Sequence, residues 1–256
     1  MRVERSSAAN NNADDKLGRP SMTLQDADPG DIPAFLDRRP FVGTYTNLHT
    51  FRDVCEEQFQ RRYIKKDQPY VETPEMAWGN KIHDAFEKRV GKGQVLPDDM
   101  RQWEHFAQPF DKFKVLCEQK WGMNEQARKT GYFDNDVFFR GKTDCAVIEG
   151  ERAMLTDWKS GSSKYEDPFE LATNAVLLKV QFPEVKKVVG RYIWLKENRA
   201  GQMYDLSDFK VTWGEMRRLM NLIAEKRKSG IWEKRKSGLC SWCSVSDCEH
   251  WRPRSA

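Results

Sequence analysis

The sequence predicts a mixed α/β fold, with a central, mostly antiparallel sheet flanked by helices. Three observations point there. Two segments with helical spacing come first, a series of strand-like runs follows, and a helix with a wide apolar face separates two of those strands as a crossover would. The chain has 256 residues, enough for one substantial core. Apolar residues make up 39% and charged residues 32%, a globular but polar balance. No run approaches the roughly 18 apolar residues of a membrane span, and the start "MRVERSSAANNNADD" lacks the apolar centre of a signal peptide. A cytoplasmic protein with no membrane partner is the expectation. In that compartment six cysteines suggest metal ligands or buried thiols before disulfides.

Residues 1–40 are rich in Ser, Asn, Asp, Pro and Gly and predict a disordered arm, with residues 41–256 as a single domain. In "YTNLHTFRDVCEEQFQRRYI", Thr46 or Asn47 can cap a helix that carries Leu48, Phe51, Cys55 and Phe59 at helical spacing. In "TPEMAWGNKIHDAFEKRVGKG", Pro74 suits a first turn. Trp78, Ile82, Ala85, Phe86 and Arg89 then form one inward stripe, and Gly91 falls just past the end. Strands are predicted at 113–121, 136–148, 152–159 and 187–197, and helices at 169–182 and 212–230.

The hairpin between the two central strands can be aligned by arithmetic. Gly150-Glu151 fits a two-residue type II′ loop, which pairs Ile148 with Ala153 and makes every opposed pair sum to 301. Asp144 then faces Asp157, with Lys159 on the same side one step along. Directly opposed carboxylates repel unless a cation lies between them, and carboxylate oxygens suit Mg²⁺ or Mn²⁺. A plain surface ion pair between Asp157 and Lys159, with a longer loop, is the alternative.

"GKTDCAVIEGERAMLTDWKSG" resembles the core of the PD-(D/E)XK nuclease superfamily. Together with the upstream "WGNKIH", it resembles the RecB-type branch that includes the CRISPR-associated exonucleases and phage recombination nucleases. The resemblance spans residues 44 to 252 and implies a restriction-endonuclease-like core. It implies metal ligation by His83, Asp144, Asp157 and the main-chain carbonyl of Trp158. Lys159 would orient the attacking water, and Glu118 would be an additional acid. The implied function is a metal-dependent DNA exonuclease in recombination, repair or phage DNA metabolism, with recombination or repair proteins as further partners. One departure stands out. The branch often carries Gln-x-x-x-Tyr on the helix after the lysine strand, and here Glu170 and Asn174 occupy those places, with neither the donor nor the stacking ring. A DNA-end-binding subunit with weak or no catalysis is therefore the rival expectation.

"LCSWCSVSDCEHW" places Cys240, Cys243 and Cys248 within nine residues, and a closed metal site wants a fourth ligand. The resemblance implies a 4Fe-4S cluster completed by Cys55, tying the N-terminal and C-terminal segments together. Zinc on the same cysteines, or His250 replacing Cys55, are alternatives. Cys145 should point away from Asp144 into the core. The net charge of +4 is mild, so DNA contact is expected from local clusters: Arg61, Arg62, Lys65 and Lys66, then Arg140 and Lys142 beside the hairpin, then Arg217, Arg218 and the basic run at 226–236. Nine tryptophans could stack on single strands, although aromatics of that size fill cores first.

Overall fold

The computed structural model describes residues 41–68 and 71–253, so the arm expected at 1–40 lies outside the described residues. The first helix, α1 (Tyr45–His49), is capped by Thr44 rather than Thr46 or Asn47. The Thr44 hydroxyl accepts from the Asn47 N–H while the Asn47 side chain accepts from the Thr44 N–H. The helix continues as a wide turn to Val54 and then breaks. Cys55 is extended, with φ −167° and ψ 129°, before α2 (Glu56–Phe59) resumes. One continuous helix was the expectation; the break instead frees Cys55 from the helical row.

Helix α3 (Pro74–Lys92) starts at the Thr73 cap and ends at Gly93, whose φ of 67° suits glycine, two residues beyond the expected Gly91. Ile82, Ala85, Phe86 and Arg89 are buried as the stripe predicts, but Trp78 is 36% exposed. Arg89 pairs with Glu104 and, in a two-pronged contact, with Asp111. This fastens α3 to α4 (Glu104–Ala107) and its flanking turns, a region with no expected element.

Seven strands form one mixed sheet: β1 (Val115–Met123), β2 (Lys129–Thr130), β3 (Phe139–Glu149), β4 (Arg152–Lys159), β5 (Lys187–Trp194), β6 (Arg199–Ala200) and β7 (Tyr204–Asp205). The spatial order is β2-β1-β3-β4-β5-β6, with β7 also on β5. Among the described strands, β4 and β5 alone pair in parallel, joined through α5 (Pro168–Gln181), as the crossover reading requires. Helices α5 and α6 (Phe209–Ser229) cover one face of the sheet through Leu155, Tyr192, Leu171, Leu178 and Met216. Helices α3 and α4 cover the other through Trp158, Val147, Phe86 and Trp103. Helix α5 packs between the sheet and α6, which explains why it is apolar almost all round.

The β3–β4 hairpin has the expected loop and register. Every pair from Glu149↔Arg152 to Cys145↔Thr156 sums to 301, and Gly150 takes φ 58°. Beyond Cys145 and Thr156 the sheet forks. Strand β3 stays paired with β1 as far as Phe139↔Met123, and β4 stays paired with β5 as far as Lys159↔Trp194. Gly43 occupies the far end of the edge β4 has vacated. Its N–H donates to Phe138 O and its carbonyl accepts from Arg140 N. A Cβ there would lie 2.6 Å from the Phe139 ring and 2.8 Å from Met220 Sδ, so only glycine fits.

Candidate active site

The fork opens at Asp144 and Asp157, the first opposed positions past the last β3–β4 pair. Asp144 spans the gap itself, its Oδ2 accepting from the Trp158 N–H at 3.0 Å. Trp158 thus takes part through its main chain. Its indole is buried on the opposite face, where its ring centroid lies 4.4 Å from that of Phe86. On the other flank of β3, Glu118 interrupts the β1 ladder between Cys117↔Cys145 and Gln119↔Thr143. Its φ of 53° is left-handed, a conformation that a non-glycine residue adopts at a cost of about 1–2 kcal/mol. Strain of this kind persists where surroundings over-determine it, often at functional sites. Here it coincides with the Glu118 carboxylate lying against α3.

His83 closes the group from above. Its Nδ1 lies 3.2 Å from Asp144 Oδ1 and 3.6 Å from Glu118 Oε1. These three offer ligand atoms all within 4.8 Å of one another. Burial opposes a charged imidazole, but the hydrogen bonds of Asp144 and Glu118 and the field of Asp144 and Asp157 outweigh it and push His83 up to about 10. The field at this point favours positive charge. Asp157 is buried, and burial pushes its carboxyl well above the usual carboxylate range. Lys159 pulls the other way, and Asp144 and Glu170 add to the rise.

These donors fit a hard divalent cation. The set that the structure brings together is one imidazole and two carboxylates, His83, Glu118 and Asp144, while Asp157, expected as a ligand, lies outside that group and against Lys159. Two buried oxygens, Glu118 Oε2 and Asp157 Oδ1, are each held by an ammonium, that of Lys142 and that of Lys159.

Lys159 sits across the fork from His83. Its Nζ is 2.9 Å from Asp157 Oδ1 and donates to Glu170 Oε2 at 2.7 Å, above the Tyr192 ring at 5.3 Å. Burial disfavours its charge, yet Asp157 and Glu170 outweigh that and raise its pKa. The sequence flagged Glu170 as a departure without showing that it would hold the lysine. Behind the pair stand two tyrosines absent from the expectations: the Tyr45 hydroxyl donates to Asp167 Oδ2, and the Tyr192 hydroxyl to Asp167 O. Asn174 is buried under Gly141, away from solvent.

The expected DNA contacts divide. Lys142 is half exposed beside the acids and pairs with Glu118. Arg140 stacks on Tyr132 and Phe133, with its guanidinium carbon 4.7 and 5.3 Å from the ring centroids. Arg217 is exposed on α6, where Arg218 is held by Glu215 through two 2.7 Å hydrogen bonds. Arg61 is not free for phosphate, being bonded to Asp67 and Asp247.

Cys55, Cys240, Cys243 and Cys248 line a single cavity together with His250 and Trp251. All four thiols are unpaired. Main-chain N–H groups of one short segment reach two of the sulfurs: Arg235 donates to Cys55 Sγ at 3.4 Å and Ser237 to Cys240 Sγ at 3.3 Å. Amides aimed at sulfur are the usual support for metal-bound thiolates. Among the described residues, no three of these sulfurs lie within 4.8 Å of one another. A single zinc ion about 2.3 Å from each sulfur would hold them roughly 3.8 Å apart. Cys117 and Cys145 face each other across β1 and β3, with Cys145 buried on the core side as expected.

Comparison with known proteins adds little. No family model matches the chain, and no curated protein matches it. Among solved structures, SSO0001 aligns at 15% identity and TM-score 0.48, covering 86% of this chain and 97% of that one. A protein from Eubacterium rectale named "Putative exonuclease" aligns at 11% identity and TM-score 0.49, covering 86% and 92%. Likeness at this level does not carry an activity across, and the functional reading rests on the fork. No helix among the described residues is long and apolar enough to cross a membrane.

Proposed function

We propose that the chain is a PD-(D/E)XK-type deoxyribonuclease dependent on Mg²⁺ or Mn²⁺, acting as an exonuclease at DNA ends in recombination, repair or phage DNA metabolism. One observation carries the reading. The forked sheet brings His83, Glu118, Asp144, Asp157 and Lys159 to one opening, although α3 and three strands supply them. His83, Asp144 and Asp157 would hold the cation, with Glu118 and the Trp158 carbonyl as further donors. Bound there, the cation supplies Lewis acidity and a water of lowered pKa. Lys159, kept charged by Asp157 and Glu170, offsets charge on the scissile phosphate and orients the attacking water. His83 fixes the Asp144 and Glu118 carboxylates, and the Trp158 N–H fixes the other oxygen of Asp144. Lys142, Arg140, Arg217 and Arg218 are the proposed phosphate contacts.

The four-cysteine cavity is proposed to hold a 4Fe-4S cluster, with the main-chain N–H groups of Arg235 and Ser237 reaching two of its sulfurs. A second reading, a DNA-end-binding subunit with a structural cluster, is favoured by the Lys159–Glu170 ion pair, which occupies the lysine's charge. One assay separates the two. End-labelled single- and double-stranded DNA should lose label with Mn²⁺ or Mg²⁺, keep it with chelator, and keep it with Lys159→Ala. Binding without cleavage by the wild-type protein under all these conditions would establish the second reading.

A further inference from the structure

Next to the fork lies a cavity of about 420 Å³, within the range of roughly 300–1,000 Å³ typical of small-ligand sites. It begins where the proposed active site ends. Ser160 in its wall directly follows Lys159, and Ile82 directly precedes His83. Between the two sites α3 is bare, because Gly79, one turn before His83, has no side chain. A Cβ there would find only Ser160 Oγ nearby, at 3.5 Å.

The lining has a particular chemistry. Trp78 forms one wall and is 36% exposed, despite its place in an otherwise buried stripe. Trp103 lies behind it, the ring centroids 6.4 Å apart, and is locked in place by its indole N–H on Leu195 O at 3.0 Å. Gln102, Ser160 and Asn198 supply donors and acceptors, Lys196 supplies positive charge, and no lining residue is acidic. An aromatic wall, a rim of amides and hydroxyl, and a cation fit a heteroaromatic ring attached to a phosphate. The phosphate would lie in the fork.

We propose that this cavity is a nucleobase subsite, taking one unstacked base of the strand whose phosphodiester enters the fork, with Trp78 as the stacking surface. The inference rests on the nuclease reading for the identity of the strand. It makes an unpaired end, rather than an intact duplex, the form of DNA that fits.

The test uses short single-stranded oligonucleotides carrying 2-aminopurine, whose fluorescence falls on stacking, at each position in turn. They are mixed with the wild-type protein in the presence of chelator. One position should be quenched more strongly than its neighbours. Trp78→Ala should abolish that difference and raise Kd about tenfold, in keeping with the stacking contribution of a single aromatic. Trp78→Phe should retain both, which separates stacking from misfolding. Uniform quenching along the strand, or an unchanged pattern in Trp78→Ala, overturns the proposal. Cleavage is absent from this readout by design. A protein that shows the pattern but never cuts with Mn²⁺ restored contradicts the nuclease reading alone, and one that cuts without the pattern contradicts the subsite alone.

Discussion

At the fork, Glu118, Asp144, Asp157 and Lys159 stand on the three central strands, each of which is hydrogen-bonded to neighbours along most of its length. The four cysteines stand on less. Cys55 occupies a break between two short helices. The other three lie in residues 230–253, where the only regular element is the single turn Cys240–Trp242 and only Val245 is fully buried. Trp232 packs on Phe51 and Phe59, and the remaining fastenings are polar: the Glu233 N–H to Glu56, Arg61 to Asp247, and Arg235 to the Arg52 carbonyl. The sheet preorganises its acids whether or not a cation is bound. The cysteine segment has little apolar burial beyond Trp232 and Val245, so the binding free energy of the proposed cluster would become folding free energy for that segment. One site is built by the fold, and the other helps to build it.

The largest effect should come from breaking the fork chemically while leaving its scaffold intact. Asp144→Asn removes a charge from the proposed cation site and keeps a group that can accept from the Trp158 N–H. Cleavage is expected to fall by about a thousandfold or more, with little change in the melting temperature. A comparable fall in both would mean that the fork depends on this charge for its shape. Loss of the cluster should show the opposite pattern. Cys240→Ser should make residues beyond Gly230 sensitive to limited proteolysis while the sheet stays resistant, and the brown colour expected of the proposed cluster should be lost. Proteolysis inside β1–β5 at the same rate would erase the distinction between the two regions.

A third change tests whether the fork is held open by packing. Gly43→Ala puts a methyl group into the Phe139 ring and Met220. Overpacking of that kind costs about 1–3 kcal/mol, measurable as a lower midpoint in denaturant. Cleavage should fall with it, since Gly43 caps the arm of β3 that leads to Asp144. An unchanged midpoint would show that the stretch before α1 yields easily.

The two regions also differ in how much of them the sequence discloses. Hairpin arithmetic aligns Asp144 with Asp157 because a two-residue loop leaves the register no freedom. Nothing in that arithmetic shows that the ladder stops one pair short of them, or that Gly43, a hundred residues away in sequence, pairs with the edge of β3 beyond. Cys55 reads as a helical position from its spacing with Leu48, Phe51 and Phe59. Its sulfur is turned toward residues 233–235 by the extended backbone at that one residue. Trp78 reads as core by the same periodicity, but the stripe leaves the core one turn before His83. Periodicity gives the face of a helix and not where its cover ends.

Glu170 marks the limit of that reading and carries the smallest predicted effect. From the sequence it is an acid where an amide is more usual; in the fold it is the second carboxylate on Lys159, at 2.7 Å. Glu170→Gln keeps the length and one acceptor and removes the charge. Lys159 then has Asp157 as its single carboxylate partner, and a phosphate approaching the fork meets one negative charge fewer. Partly buried charge pairs of this geometry change binding by about 1 kcal/mol once solvent screening is counted. The expected result is therefore a drop in KM for DNA of up to about fivefold with kcat changed less, and a steeper dependence on salt. If kcat instead falls as far as it does in Lys159→Ala, Glu170 belongs to the catalytic set. The acid at this position would then set the lysine's orientation as well as temper its charge.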